Sequence, residues 1–73
     1  MNLRDAKEGA EYRVDRIDTG DGELNSFLFS LGCYSGESVT VIKHRRSGSI
    51  ISLKDVKYSI DRFLGEAIII EEK

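Results

Sequence analysis

The chain has 73 residues, 40% of them hydrophobic and 33% charged, with a formal net charge of −2. That length holds one small core and leaves little from which to carve a deep catalytic pocket, so action through the surface is expected. The acidic balance speaks against a nucleic-acid binder, and a single cysteine, Cys33, excludes a disulfide framework and a thiolate zinc cage.

The segment Met1–Asp5 carries charge where a signal peptide needs an apolar run, and the longest apolar run, Ala67–Ile70, is far short of a membrane span. The expectation is a cytoplasmic chain with no direct membrane insertion, which still allows a membrane-bound partner. Asn2 to Ala10 is polar with one apolar anchor, Leu3, and Lys7-Glu8-Gly9-Ala10 reads as a turn. Tyr12 to Asp18 is a strand with Tyr12 and Val14 on one face. Ile17 falls out of phase, so the strand bulges near Asp15-Arg16 or ends there. Asp18 to Gly22 is a loop on turn chemistry, with Asp21 placed to cap a helix that starts near Gly22 and runs about ten residues.

Leu24, Phe27, Leu28 and Leu31 recur at i, i+3, i+4 and i+7 and predict the buried face of that helix. Phe29 lies about 100° from the centre of this face, at its edge or on the surface. Gly32 suits a helix stop, and Ser35-Gly36 turns the chain. Ser38 to Arg46 is a second strand, with Val39 and Val41 on one face and Ile42 on the other. Ser47-Gly48-Ser49 reads as a hairpin loop, Ile50 to Leu53 as a third strand, and Asp55 as the next turn. Val56, Tyr58 and Ile60 alternate as a fourth strand. Asp61 to Ala67 has room for a single helical turn, and Ile68 to Glu72 closes the chain as a fifth strand. The sum is mostly β: a small barrel or rolled sheet of about five short strands, its edges closing on one another, with one short helix after the first strand.

The stretch Leu28-Phe29-Ser30-Leu31-Gly32-Cys33-Tyr34-Ser35-Gly36, followed by Val39-Thr40-Val41, resembles the L-x-x-L-G-x-x-P-G signature of the FeoA family, with Ser35 at the usual proline. Leu3 and the Lys7-Glu8-Gly9 turn are similar to the family's L-x-x-L-x-x-G entry, with Ala6 at its second leucine. Leu53 to Ile60 is similar to V-x-G-x-x-x-A-L, with Asp55 at the glycine and Ser59 at the alanine. Asp tolerates left-handed backbone angles, so that turn is expected to form. The resemblance implies a single SH3-like domain over residues 1–73 and a cytosolic accessory protein of ferrous iron uptake. Its partner would be a membrane Fe(II) transporter with a GTPase domain, of the FeoB type. Related domains occur in metal-dependent repressors, so a metal-responsive domain is one alternative and a general peptide-binding module another.

The residues themselves offer little chemistry. Asp15, Asp18, Asp21 and Glu23 crowd one loop and are hard-oxygen candidates for a divalent cation. Their spacing is not that of a calcium loop, and the simpler account is a solvated loop with an Asp cap; Asp18, Asp21 and Glu23 stand as weak metal candidates. No cofactor is expected, and the residues give no support for Fe(II) binding by the chain itself. His44 and Cys33 are the only softer ligands, too few for a transition-metal site. Eight serines surround a single histidine with no nucleophile elbow and no phosphate loop, so no catalytic residues are assigned and an enzyme is not expected. Lys43 to Arg46 forms a basic run, with Lys54, Lys57 and Arg62 further on; a patch for an anionic partner is one reading, and a solvated hairpin whose charges protect an edge strand is the simpler one. Phe29, Leu31, Tyr34 and Phe63 are the candidate partner contacts, since aromatic residues left at a surface serve as interface anchors.

Overall fold

The computed structural model describes Met1–Lys73. A 3-10 turn, Leu3–Asp5, precedes β1 (Glu11–Ile17), α1 (Gly22–Ser30), β2 (Ser38–Arg45), β3 (Gly48–Leu53), β4 (Val56–Asp61), α2 (Arg62–Ala67) and β5 (Ile68–Glu72). The strands form one antiparallel sheet in the order β4-β3-β2-β1-β5. α2 therefore carries the chain from one edge strand to the other. A flat five-stranded sheet would separate its edges by about 19 Å at ~4.8 Å per strand, whereas six helical residues span about 9 Å. The short connection forces the sheet to roll into an SH3-like barrel.

The roll is not closed by hydrogen bonds, contrary to the expectation that the edges meet: β4 and β5 stay unpaired with each other. The outer edge of β5 is covered instead by the N-terminus, through an Asn2–Ile69 bridge and an Ile70 amide donating to the Met1 carbonyl at 2.8 Å. The Leu3–Asp5 turn, not expected from its polar sequence, is held by a capping box between Asn2 and Asp5. It delivers Leu3 into the core.

Inward residues follow the period of two: Tyr12 and Val14, Val39 and Val41, Ile51 and Leu53, Ile68 and Ile70 are all buried. The phase break at Ile17 is a bulge, with the register of β1 on β5 shifting between Val14 and Arg16. A second shift lies between Val41 and Lys43, and Ile42 faces outward, as its alternation with Val41 predicts, at 38% exposure. The loop expected at Ser47-Gly48-Ser49 is displaced. Arg45 pairs with Gly48, so Arg46 and Ser47 alone make the turn and Gly48 is already strand. Gly48 has no room for a side chain, which is why it sits there. The single turn expected over Asp61–Ala67 is a six-residue helix, capped by the Asp61 carboxylate accepting from the Leu64 amide.

The β3–β4 hairpin turns on Lys54 and Asp55, with φ of +50° and +67°. Two positive φ values in a two-residue loop mark a type I′ turn, a geometry that favours glycine at the second position. Asp55→Gly should relieve roughly 1 kcal/mol of left-handed strain, partly offset by the entropy glycine gains when unfolded. The expected net gain is about 0.5 kcal/mol, a rise of about 2–4 °C in thermal midpoint. A fall would show that the Asp55 carboxylate makes a contact worth more than the strain.

Cys33 is fully buried, and that burial pushes its thiol up to about 12. An acid whose pKa is raised by folding stabilises the fold while neutral. Its contribution is complete at neutral pH and is lost as pH climbs from the ordinary thiol range through about 12. Native protein at pH 8 should leave Cys33 unmodified by a thiol reagent, and denaturant should expose one thiol per chain. Rapid labelling of the native state would contradict this burial.

Candidate functional site

The candidate surface is built where α1 ends against the tip of the β3–β4 hairpin. Nine residues make a marginal helix in water, so both ends need help. At the start, the Asp21 carboxylate accepts from the amides of Glu23 (2.9 Å) and Leu24 (3.4 Å). At the end, the Gly32 amide donates to Phe29 and the Cys33 amide to Leu28. This is a Schellman stop with Gly32 at φ +95°. The stop turns the chain at once, so Tyr34 comes back beside Phe29.

The two rings stack with centroids 4.8 Å apart and planes tilted by 35°. The Lys54 ammonium lies 5.4 Å above the Tyr34 ring and 3.0 Å from the Glu37 carboxylate. The Lys54 stem crosses directly over Gly32, where a Cβ would meet its Cε at 2.9 Å. Gly32 is required by the helix stop at positive φ, and its missing side chain leaves the lysine stem free to lie close. The charges reinforce each other: the hydrogen bond to Lys54 lowers the Glu37 pKa, and the same bond raises that of Lys54. The pair stays charged across the neutral range. Glu37 loses its part as pH falls through its depressed pKa, and Lys54 loses its part only as pH rises through its raised one.

Phe29 is 64% exposed, an unusual state for an ordered phenylalanine held by a neighbouring ring. Leu31 and Tyr34 are half-buried. Phe63 is exposed on α2 and takes no part in the ring stack. The four candidate contacts are therefore one stacked pair, one adjoining leucine and a separate phenylalanine.

The predicted apolar helix face is narrower than its pattern. Only Leu28 is fully buried, Leu24 and Leu31 are half-buried, and Phe27 is 51% exposed. Phe27 belongs with the surface rather than the core. Nothing in the i, i+3, i+4 pattern distinguishes Phe27 from Leu28, since both lie on one stripe; the width of the seam is set by the barrel. Lys54 and Glu37 were likewise not legible as site residues, because their roles arise from a hairpin folding back onto the helix stop.

The acidic loop is not assembled as a cation site. No three His, Cys, Asp or Glu side chains converge anywhere in the structure. Asp21 serves as the helix cap, Asp15 pairs with Arg16 at 2.7 Å, and Asp18 and Glu23 stand exposed. A resident metal does not fit these residues. His44 spans β2 and the N-terminal turn, with Nε2 donating to the Ala6 carbonyl (2.7 Å) and Nδ1 against Ser49 Oγ (2.9 Å), a structural use of both nitrogens. No helix is long and apolar enough to cross a membrane.

A family model, the FeoA domain, matches residues 1–72. No curated protein matches the chain. Among solved structures, iron(II) transport protein A from Clostridium thermocellum superposes with a TM-score of 0.88 at 19% identity, covering 99% of this chain and 45% of that one. The present chain thus spans less than half of that relative. A manganese-dependent transcriptional repressor gives a TM-score of 0.89 at 16% identity, covering 100% of this chain and 41% of the repressor. The Stenotrophomonas maltophilia FeoA, solved with zinc and described as a procaryotic SH3 domain protein, gives 0.85 at 12% identity, covering 97% of this chain and 89% of its own. At these identities the likenesses establish the SH3-like fold.

Proposed function

This chain belongs to the FeoA domain family, and from that premise we propose that it is a non-enzymatic, cytoplasmic accessory protein of ferrous iron uptake. It binds a cytosolic region of a membrane GTPase-type transporter, whose cargo is Fe(II), and modulates transport. The observation that carries this reading is Phe29: an exposed ring fixed in place on Tyr34, with Lys54 and Glu37 bracing the second ring. A pre-positioned aromatic surface binds with little side-chain entropy left to lose. The relative from S. maltophilia is described as a candidate activating factor for bacterial ferrous iron transport, which agrees with this role.

The alternative of a metal-responsive domain shares the fold, as the manganese-dependent repressor shows. It needs three or four converging ligands, and the side chains here supply no such group. The docking reading is favoured on that ground. It is tested by measuring affinity for the isolated cytosolic domains of the cognate transporter. Saturable binding that depends on Phe29 and Tyr34 is expected. No binding, or binding indifferent to both rings in a folded variant, would overturn it.

A further inference from the structure

A second feature lies at the other end of β2. The β2–β3 turn, the end of β4 and the start of α2 enclose an open, polar cavity of about 460 Å³. Arg45, Ser47, Ser49, Ser59, Asp61 and Leu64 are among its walls. That volume lies within the range of small-ligand sites.

Charge is distributed unevenly around it. Arg13, Arg16, Lys54, Arg62 and Lys73 each sit against a carboxylate. Six cations have no such partner: Lys43, Arg45 and Arg46 at or near the turn, Arg4 packed against it, and Lys7 and Lys57 elsewhere. Arg4 Nη1 donates to the carbonyls of Arg45 (3.1 Å) and Gly48 (2.6 Å) and to Ser49 Oγ (3.0 Å). Its charge is therefore anchored beneath the cavity by neutral acceptors and left uncompensated. The one acid in the wall, Asp61, turns an oxygen to the Leu64 amide as the α2 cap. Ser47 and Ser59 have side-chain hydroxyls with no protein partner, while Ser49 is occupied by Arg4 and His44. A chain of net charge −2 thus places Arg45 and two free hydroxyls in the wall of one cavity, with Arg46 in the adjoining turn and Arg4 bonded to the wall.

We propose that this cavity binds a phosphate group, with Arg45 as the principal charge partner, the Ser47 and Ser59 hydroxyls as donors and Arg46 at the rim. A guanidinium meets a phosphate through paired N–H donors, which suits Arg45 better than a lysine would. The site is independent of the Phe29–Tyr34 surface. The same chemistry serves a free phosphate and the headgroup of an anionic phospholipid at a membrane face.

The test is an amide NMR titration of the full chain with inorganic phosphate at constant ionic strength. Vesicles of phosphatidylglycerol and of phosphatidylcholine are compared alongside by co-sedimentation. Saturable shifts centred on Ser47, Gly48, Ser49 and Ser59 are expected, weakened about tenfold in Arg45→Gln. Arg13→Gln is the control, removing equal charge from the segment of β1 that pairs with Ser38 at the opposite end of β2, and it should change little. Saturation by phosphate without vesicle binding assigns a free anion. Binding to phosphatidylglycerol vesicles alone, lost in Arg45→Gln, assigns the headgroup. Linear, delocalised shifts together with no Arg45-dependent vesicle binding overturn the site, as does equal loss in Arg13→Gln, which would reduce it to net charge.

Discussion

Replacing Phe29 and Tyr34 together by alanine is expected to weaken binding to the transporter's cytosolic domains by at least thirtyfold. Central aromatic anchors commonly contribute about 2 kcal/mol or more each when truncated, and thirtyfold corresponds to about 2 kcal/mol. The two positions should behave differently when changed singly. Phe29 is largely solvated, so Phe29→Ala loses roughly 0.5–1.5 kcal/mol of ring stacking at most, a fall of about 2–12 °C in thermal midpoint. Tyr34 is half-buried and supports Lys54, so Tyr34→Ala is expected to cost stability as well as affinity. Phe29→Ala is therefore the cleaner probe. Calorimetric titration against the transporter fragment, with melting of each variant in parallel, separates the two effects. An unchanged affinity in a folded Phe29→Ala, Tyr34→Ala protein would place the interface elsewhere, with Phe27 and Phe63 the next surfaces to change.

Gly48→Ala is expected to be the most damaging small substitution in the chain. A Cβ at that position would lie 1.9 Å from the Ile60 carbonyl oxygen and 2.9 Å from Asp61 Cα. Both are backbone of the paired strand, so no rotamer change relieves the overlap. β3 and β4 must separate where Gly48 pairs with Asp61, and the Gly48 carbonyl that receives Arg4 moves with them. Overpacking of this kind costs about 3 kcal/mol or more. For a chain of this length that is a fall of roughly 12–24 °C in thermal midpoint, and a large share of total stability. Gly22→Ala is the matched control. Nothing lies within 4 Å of its Cβ position and it sits in the first turn of α1, so it should be neutral or slightly stabilising. A midpoint for Gly48→Ala within two or three degrees of the parent, by the same measure, would mean the strands relax and the close approach is not required.

Much of the fold was legible because it rests on local rules. The out-of-phase Ile17 after Val14 pointed to the bulge that the β1–β5 register contains. Asp21 and Gly32 marked both ends of α1, and both act there by backbone hydrogen bonding. β5 lies on the residues its apolar run suggested. Asp55, standing where the family signature has glycine, does adopt a left-handed angle.

The misreadings share one cause: each concerned a residue whose setting depends on a distant segment. Gly48 looked like a loop glycine because serines flank it, yet its lack of a side chain answers to Ile60 on the neighbouring strand. Phe27 shares a stripe with Leu28, but the barrel meets α1 along a narrow seam that buries Leu28 fully, Leu24 and Leu31 by half, and leaves Phe27 outside. The edges were expected to close, whereas the N-terminal segment covers one of them.

Periodicity, caps and turn residues within a few positions of one another sufficed for the five strands, for α1 and its two ends, for the inward faces of the strands and for the family signature. Tertiary structure alone decided which aromatic residues face solvent and which cations lack a partner. It also decided that Lys54 would cross Gly32 to brace Tyr34. Those outcomes depend on rolling the sheet, which brings a hairpin tip and a helix stop together; contacts between such distant segments leave no periodic trace in the chain.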